Sequence, residues 1–275
     1  MKQIRMLLIL TMVLCFLFTC NNALAAEIAR GQVSTINLQK SKIIVSKTNQ
    51  YTPNRPILIF FPGAGQCTDT QEALNWVRYN HLYDDLDVDV IICQFSSKWE
   101  RSAEDLYDFL YPYQNAIDDD EELTIIIDAF SFGGYGGCCA ALYLSQMGMQ
   151  VKELNIADGC RPEYVNANLL QRILDVGVKL NIYGRRSSGE PSKTTCKMID
   201  AMNGAEGFYG EVLDTSHAGV LKLAIQRGLH SEYQYGYVAS STTDSEPIKA
   251  TETVVQTQQS DSEYPTTFIV LGPRT

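Results

Sequence analysis

Residues 124–139 read TIIIDAFSFGGYGGCC, and this stretch constrains the chain more than any other. Thr124 to Ile127 is an unbroken β-branched run, which predicts a strand buried on both faces, as in a parallel sheet. Ser131 follows, then Gly133, Gly134, Gly136 and Gly137, and then an apolar run from Cys138 to Leu144 that predicts a helix. A strand, a sharp turn on a serine and a helix of small residues is the construction of a nucleophile elbow. Such a turn strains the serine's backbone, so the residues two before and two after it must be very small. Here they are Ala129 and Gly133. The motif is A-x-S-x-G, one methyl group larger than the commoner G-x-S-x-G, and it predicts a surface-exposed hydroxyl on Ser131. A glycine-rich strand-to-helix turn with an incidental serine has the same local pattern, so the segment must be weighed with the rest of the chain.

The first 25 residues predict a secretory signal peptide. Lys2 and Arg5 form a basic start, Met6 to Phe18 is almost wholly apolar, and Ala23-Leu24-Ala25 is a cleavage pattern. The apolar core is shorter than the ~20 residues a spanning helix needs, and Thr19 before Cys20 fits a lipoprotein anchor poorly. An exported protein without stable membrane insertion is expected. Loss of Lys2 and Arg5 takes the formal charge from −10 to about −12, which disfavours nucleic acid and anionic membrane surfaces as partners. Two of the eight cysteines, Cys15 and Cys20, leave with the leader. Export permits disulfides, and Cys160 with Cys196 is the first pair to consider. Three histidines and no C-x-x-C spacing argue against a structural metal, and no cofactor motif is present.

Residues 26–237 predict a single domain in which strands and helices alternate. Val33 to Ser46 alternates like two early strands. Further strands are expected at 57–61, 88–95, 154–157, 178–183 and 208–213, with helices at 70–81, 103–117, 169–176, 193–202 and 220–230. This pattern implies a mostly parallel sheet with helices on both faces. Residues 238–275 are rich in Ser, Thr, Gln, Glu and Asp, and predict a polar, disordered tail in which Phe268 to Leu271 is the one apolar exception.

Two loops carry further chemistry. Pro62-Gly63-Ala64-Gly65 directly follows a predicted strand, and ligands of open α/β sheets bind beyond the carboxyl ends of strands. A glycine-rich loop there can aim backbone N–H groups at a developing oxyanion. Downstream, LDTSHAGV puts His217 between the last strand and the last helix, where an imidazole can serve a serine as general base. His81 ends an early helix and His230 lies within the last predicted one, so both read as surface or packing residues.

Taken together, FPGAG, AFSFGG and SHAG, in that order, resemble the α/β-hydrolases over roughly residues 54–237. The resemblance implies an α/β-hydrolase-type fold, with Ser131 as nucleophile and His217 as general base. It also implies an oxyanion hole from the N–H groups of Ala64 and Phe132. The acid is less plain. The family usually places it about three residues past the glycine of a strand such as KLNIYG, and that position is Ser187. Asp158, in NIADG at the end of the preceding strand, is the first choice, and Glu190 in the RRSSGE loop is the alternative. Only about twenty residues separate Asp158 from the next strand, which leaves no room for a large lid. The expected activity is cleavage of carboxylic esters on small or polymeric substrates through an acyl-enzyme. A peptidase or thioesterase shares every motif, and a non-catalytic binding protein would explain the missing acid at position 187.

Overall fold

Alternation of apolar side chains with period two sets the two faces of the sheet. In the computed structural model the described residues are 33–37, 41–47, 55–63, 70–95, 99–114 and 123–234. The predicted leader, Ala64, Cys67 and the tail from 238 onward lie outside them. The elements in chain order are β1 (Val33–Asn37), β2 (Ser41–Lys47), β3 (Ile57–Phe61), α1 (Thr70–Tyr79), β4 (Asp89–Phe95), α2 (Trp99–Gln114) and β5 (Ile125–Phe130). They continue as α3 (Gly134–Gln146), β6 (Val151–Ala157), α4 (Ala167–Asp175), β7 (Lys179–Arg185), α5 (Ser192–Met202), β8 (Phe208–Leu213) and α6 (Val220–Gln226). All eight strands form one sheet in the order β1-β2-β4-β3-β5-β6-β7-β8. β2 runs antiparallel to both β1 and β4. From β4 to β8 every neighbouring pair is parallel.

The central strands β3 and β5 are buried along their whole length on both sides. Ile57, Ile59, Phe61, Ile125, Ile127 and Ala129 pack with residues of α2, α3, α4 and α5 on one face. Leu58, Phe60, Val90, Ile92, Ile126 and Phe130 pack with α1 and α6 on the other. Burial on both sides is why the β3 and β5 sequences read as continuous apolar runs. α2 begins and ends a few residues earlier than its periodicity suggests. Between Asp158 and β7 the only α-helix is α4, and no lid is built there.

Two expectations fail. The last helix stops at Gln226, short of His230. Gly228 takes φ +106, its N–H bonds the Ile225 carbonyl at 3.1 Å, and Leu229 N–H bonds the Ala224 carbonyl at 3.1 Å. This is a Schellman stop, which needs a residue free to adopt positive φ. His230 beyond it is buried, not a surface residue, and it joins a charged cluster beneath β5, β6 and β7. Its Nε2 lies 2.9 Å from Asp128 Oδ2, which also accepts from Tyr83 Oη at 2.9 Å. Its Nδ1 lies 3.2 Å from Glu153 Oε1, a charge contact whose angle falls short of a hydrogen bond. Asn155 donates to Asp128 Oδ1 at 2.9 Å, and Asn181 donates to Asn155 at 2.6 Å. Burial opposes the charged form of His230, but Asp128 and then Glu153 outweigh it and raise the imidazole to about 9.

The second failure is the disulfide. Cys160 and Cys196 are both free thiols. The Cys196 thiol donates instead to the Arg185 carbonyl at 3.4 Å, and burial pushes the Cys160 thiol up to about 12.

Candidate active site

Ser131 sits where β5 ends, with φ 52. A non-glycine residue there is strained and is held only by its surroundings. The end of β3 and the start of α3 supply that restraint. A Cβ added at Gly133 would come within 2.2 Å of the Phe61 carbonyl oxygen, so only glycine lets the two strand ends meet. A Cβ at Gly63 would lie 3.0 Å from the Phe130 ring and 3.0 Å from Ser131 Cβ. The tight fit also changes one expectation: Ser131 is only 6% exposed, because the close-packed strand ends and the imidazole beside it leave little of it open.

Asp158 is the counterpart of Ser131 on the next strand. Phe130 and Ala157 are register partners in β5 and β6, and the residue after each turns left-handed, with φ 47 at Asp158. A Cβ on Gly159 would stand 3.0 Å from the Ser131 carbonyl oxygen, so this second turn packs directly against the first. Asp158 is 0% exposed. Its Oδ2 accepts from Ser192 Oγ at 2.6 Å, from Arg185 Nε at 3.3 Å and from His217 Nδ1 at 2.6 Å.

His217 opens a short 3-10 turn, His217–Gly219, after β8. Gly219 closes it, and a Cβ added there would displace the Thr215 hydroxyl, 2.4 Å away. The imidazole lies against the Phe130 ring, with centroids 4.9 Å apart. Phe130 in turn stacks on Trp76, at 5.3 Å and 14°. An ionised Asp158 can only accept, so His217 carries its proton on Nδ1, and Nε2 is left to accept from Ser131 Oγ at 2.9 Å. The arrangement is a hydroxyl, a base oriented toward it, and a buried carboxylate that fixes the tautomer.

Glu190 is not part of this constellation. Its Oε2 accepts from Thr194 N–H at 3.2 Å, in the first turn of α5. Ser187 Oγ accepts from Gly189 N–H at 3.2 Å within its own loop. Two residues that orient the carboxylate, Ser192 and Arg185, were not singled out from sequence. Arg185 had a signal, as the residue closing the KLNIYGR strand at the carboxyl edge of the sheet. Ser192 had none, because its contact spans 34 positions in the chain. Phe132 is half-buried and lies under the Arg161 guanidinium. Among the described residues no group of three or more His, Cys, Asp or Glu side chains is placed to hold a metal ion, and no helix is long and apolar enough to cross a membrane.

No family model matches this sequence, and no curated protein matches it. Solved structures do. A hyperthermophilic esterase from the archaeon Pyrobaculum calidifontis superposes with a TM-score of 0.50 at 12% identity, covering 78% of this chain and 87% of that one. The protein DphMB1 superposes with a TM-score of 0.52 at 10% identity, covering 73% of this chain and 84% of that one. The chain has the α/β-hydrolase fold. Within this fold Ser131 stands in the turn after β5, His217 in the loop after β8, and Asp158 after β6. At such low identity the likeness speaks to the fold, and the chemistry has to be argued from this chain's own side chains.

Proposed function

We propose that this protein is a serine hydrolase that cleaves carboxylic esters through an acyl-enzyme. The supporting observation is the continuous contact from Ser131 Oγ to His217 Nε2 at 2.9 Å and from His217 Nδ1 to Asp158 Oδ2 at 2.6 Å. Ser131 Oγ attacks the ester carbonyl while Nε2 takes its proton, and the imidazolium so formed is stabilised by Asp158. The N–H groups of Phe132 and Ala64 are assigned to the oxyanion. Collapse of the tetrahedral species breaks the C–O bond, and Nε2 returns the proton to the leaving alcohol. Water, activated by the same nitrogen, then releases the acid and frees Ser131.

A binding protein without catalysis was suggested by the absence of an acid at position 187. Asp158, in contact with His217, removes that motive. Between Asp158 and β7 the chain builds one α-helix and no large cap, which favours short acyl groups or polymeric substrates over long buried chains. We also retain export: the mature chain is expected to begin after Ala25 or Ala26, as intact-mass analysis of the secreted protein would read.

A fluorophosphonate probe tests the hydrolase reading. Labelling at Ser131, abolished in Ser131→Ala, is expected. A folded wild-type protein that neither labels nor hydrolyses any p-nitrophenyl ester of increasing acyl length would refute it.

A further inference from the structure

The two phenylalanines flanking Ser131 in the chain take different partners. Phe130 carries the His217 ring, whereas Phe132 carries the guanidinium of Arg161, 5.1 Å from its centroid. The backbone that carries Arg161 is well anchored. Gly159 packs against Ser131, Cys160 N–H donates to Thr195 Oγ1 at 3.1 Å, and the Arg161 carbonyl accepts from Tyr164 and Val165 at 3.1 and 2.8 Å. The side chain is half-buried. Its Nε is buried and meets no acceptor among the described residues, and Glu163, two positions on, makes no ion pair with it. Arg185 and Arg186 stand at the same sheet edge, at the end of β7, in a chain whose formal charge is −10.

A guanidinium over the face of an aromatic ring can still offer N–H groups to a carboxylate, and it loses part of its hydration. A strongly acidic protein repels anionic substrates at long range, so a local cation beside the nucleophile matters most for such a substrate. We propose that Arg161 is a specificity residue that receives a carboxylate carried by the ester bound at Ser131. The substrate class is then a half-ester of a dicarboxylic acid or an ester of a carboxylated alcohol. This rests on the reading of Ser131 as nucleophile.

The test compares kcat/KM for mono-4-nitrophenyl glutarate with that for its neutral methyl ester, after subtraction of spontaneous hydrolysis. A second pair, 4-carboxyphenyl butyrate and phenyl butyrate, moves the charge to the leaving side. The wild type should prefer the charged member of at least one pair. That preference should fall at least tenfold in Arg161→Gln, chiefly through KM, and return in part in Arg161→Lys. Equal losses on charged and neutral esters would reduce Arg161 to a support for Phe132 and overturn the proposal. Calorimetric titration of monomethyl glutarate into Ser131→Ala, with and without Arg161→Gln, reads the same contact without turnover. At least tenfold weaker binding in the double variant is expected, and equal binding would overturn the assignment. Ester hydrolysis without charge preference defeats this inference alone. Arg161-dependent binding without any hydrolysis defeats the hydrolase reading instead.

Discussion

The methyl group of Ala129 occupies the space that a side chain at position 137 would need, since a Cβ added to Gly137 would come within 2.7 Å of it. The larger residue in the A-x-S-x-G motif is thus accommodated by a glycine one turn into α3. Both partners are rigid, one on a central strand and the other on the helix behind it.

Gly137→Ala should therefore destabilise the fold despite a helix-propensity gain of about 1 kcal/mol. Overpacking of this kind typically costs about 1–3 kcal/mol, so a net loss of roughly 1 kcal/mol is expected in urea unfolding. Ala129→Gly added to Gly137→Ala should recover much of it. Strictly additive effects of the two substitutions would show that the residues do not compete for space.

Asp158 and Glu190 can be separated by charge removal at constant size. Asp158→Asn should lower kcat by about 10²–10⁴-fold, because an amide can present its N–H to the imidazole and favour the wrong tautomer. Glu190→Gln keeps an oxygen for Thr194 N–H and should stay within about twofold of wild type. Circular dichroism on both variants separates loss of activity from loss of fold. A large effect at Glu190 with none at Asp158 would reverse the assignment.

The His230 cluster should make stability depend on pH. The folded-state value of about 9 lies above the ordinary 6.5, so the stabilisation is fully present below about pH 6.5 and is lost as pH rises through 9. Burial pushes the Glu153 carboxyl up, yet its contacts with His230 and Asn155 bring it below its ordinary 4.5. Its contribution is present above pH 4.5 and is lost on acidification. Among the described residues Asp128, Glu153, Tyr83 and Tyr233 are the titratable groups that face the imidazole. The urea midpoint should fall between pH 7 and pH 10, by on the order of a few kcal/mol in unfolding free energy. His230→Gln should lower the midpoint at pH 7 and flatten that alkaline slope. An unchanged slope in the variant would show that another group titrates.

Ser131→Ala and His217→Ala should each lower kcat by several orders of magnitude, and combining them should cost little more than either alone, because the two act as one unit. Multiplying losses in the double variant would argue that the side chains serve separate steps. Urea midpoints close to that of the wild type would place the loss in chemistry.

Much of this protein was legible in one dimension because its signals are local. Runs such as ILIFF and TIIID betray strands buried on both faces, and alternation with helical segments implies a parallel sheet. Glycines at 133, 134 and 137 mark the sharp turn around Ser131, and a histidine in a loop of small residues stands out by itself. Gly228 was also a local signal, a stop for the last helix that the apolar run from Val220 obscured. Other features arise only from strands that pair across long stretches of chain. Local sequence favours Asp158, at a strand terminus, over Glu190 only slightly, since both lie at the same sheet edge. The register of β5 with β6 sets Asp158 beside Ser131, while the first turn of α5 takes up Glu190. The burial of His230 against Asp128 joins positions 102 residues apart. Sequence determined which segments become strands, helices and turns, because backbone preference and apolar periodicity act over a few residues. Tertiary structure decided which carboxylate meets which imidazole, because charge and hydrogen bonding depend on distances that only the paired strands create.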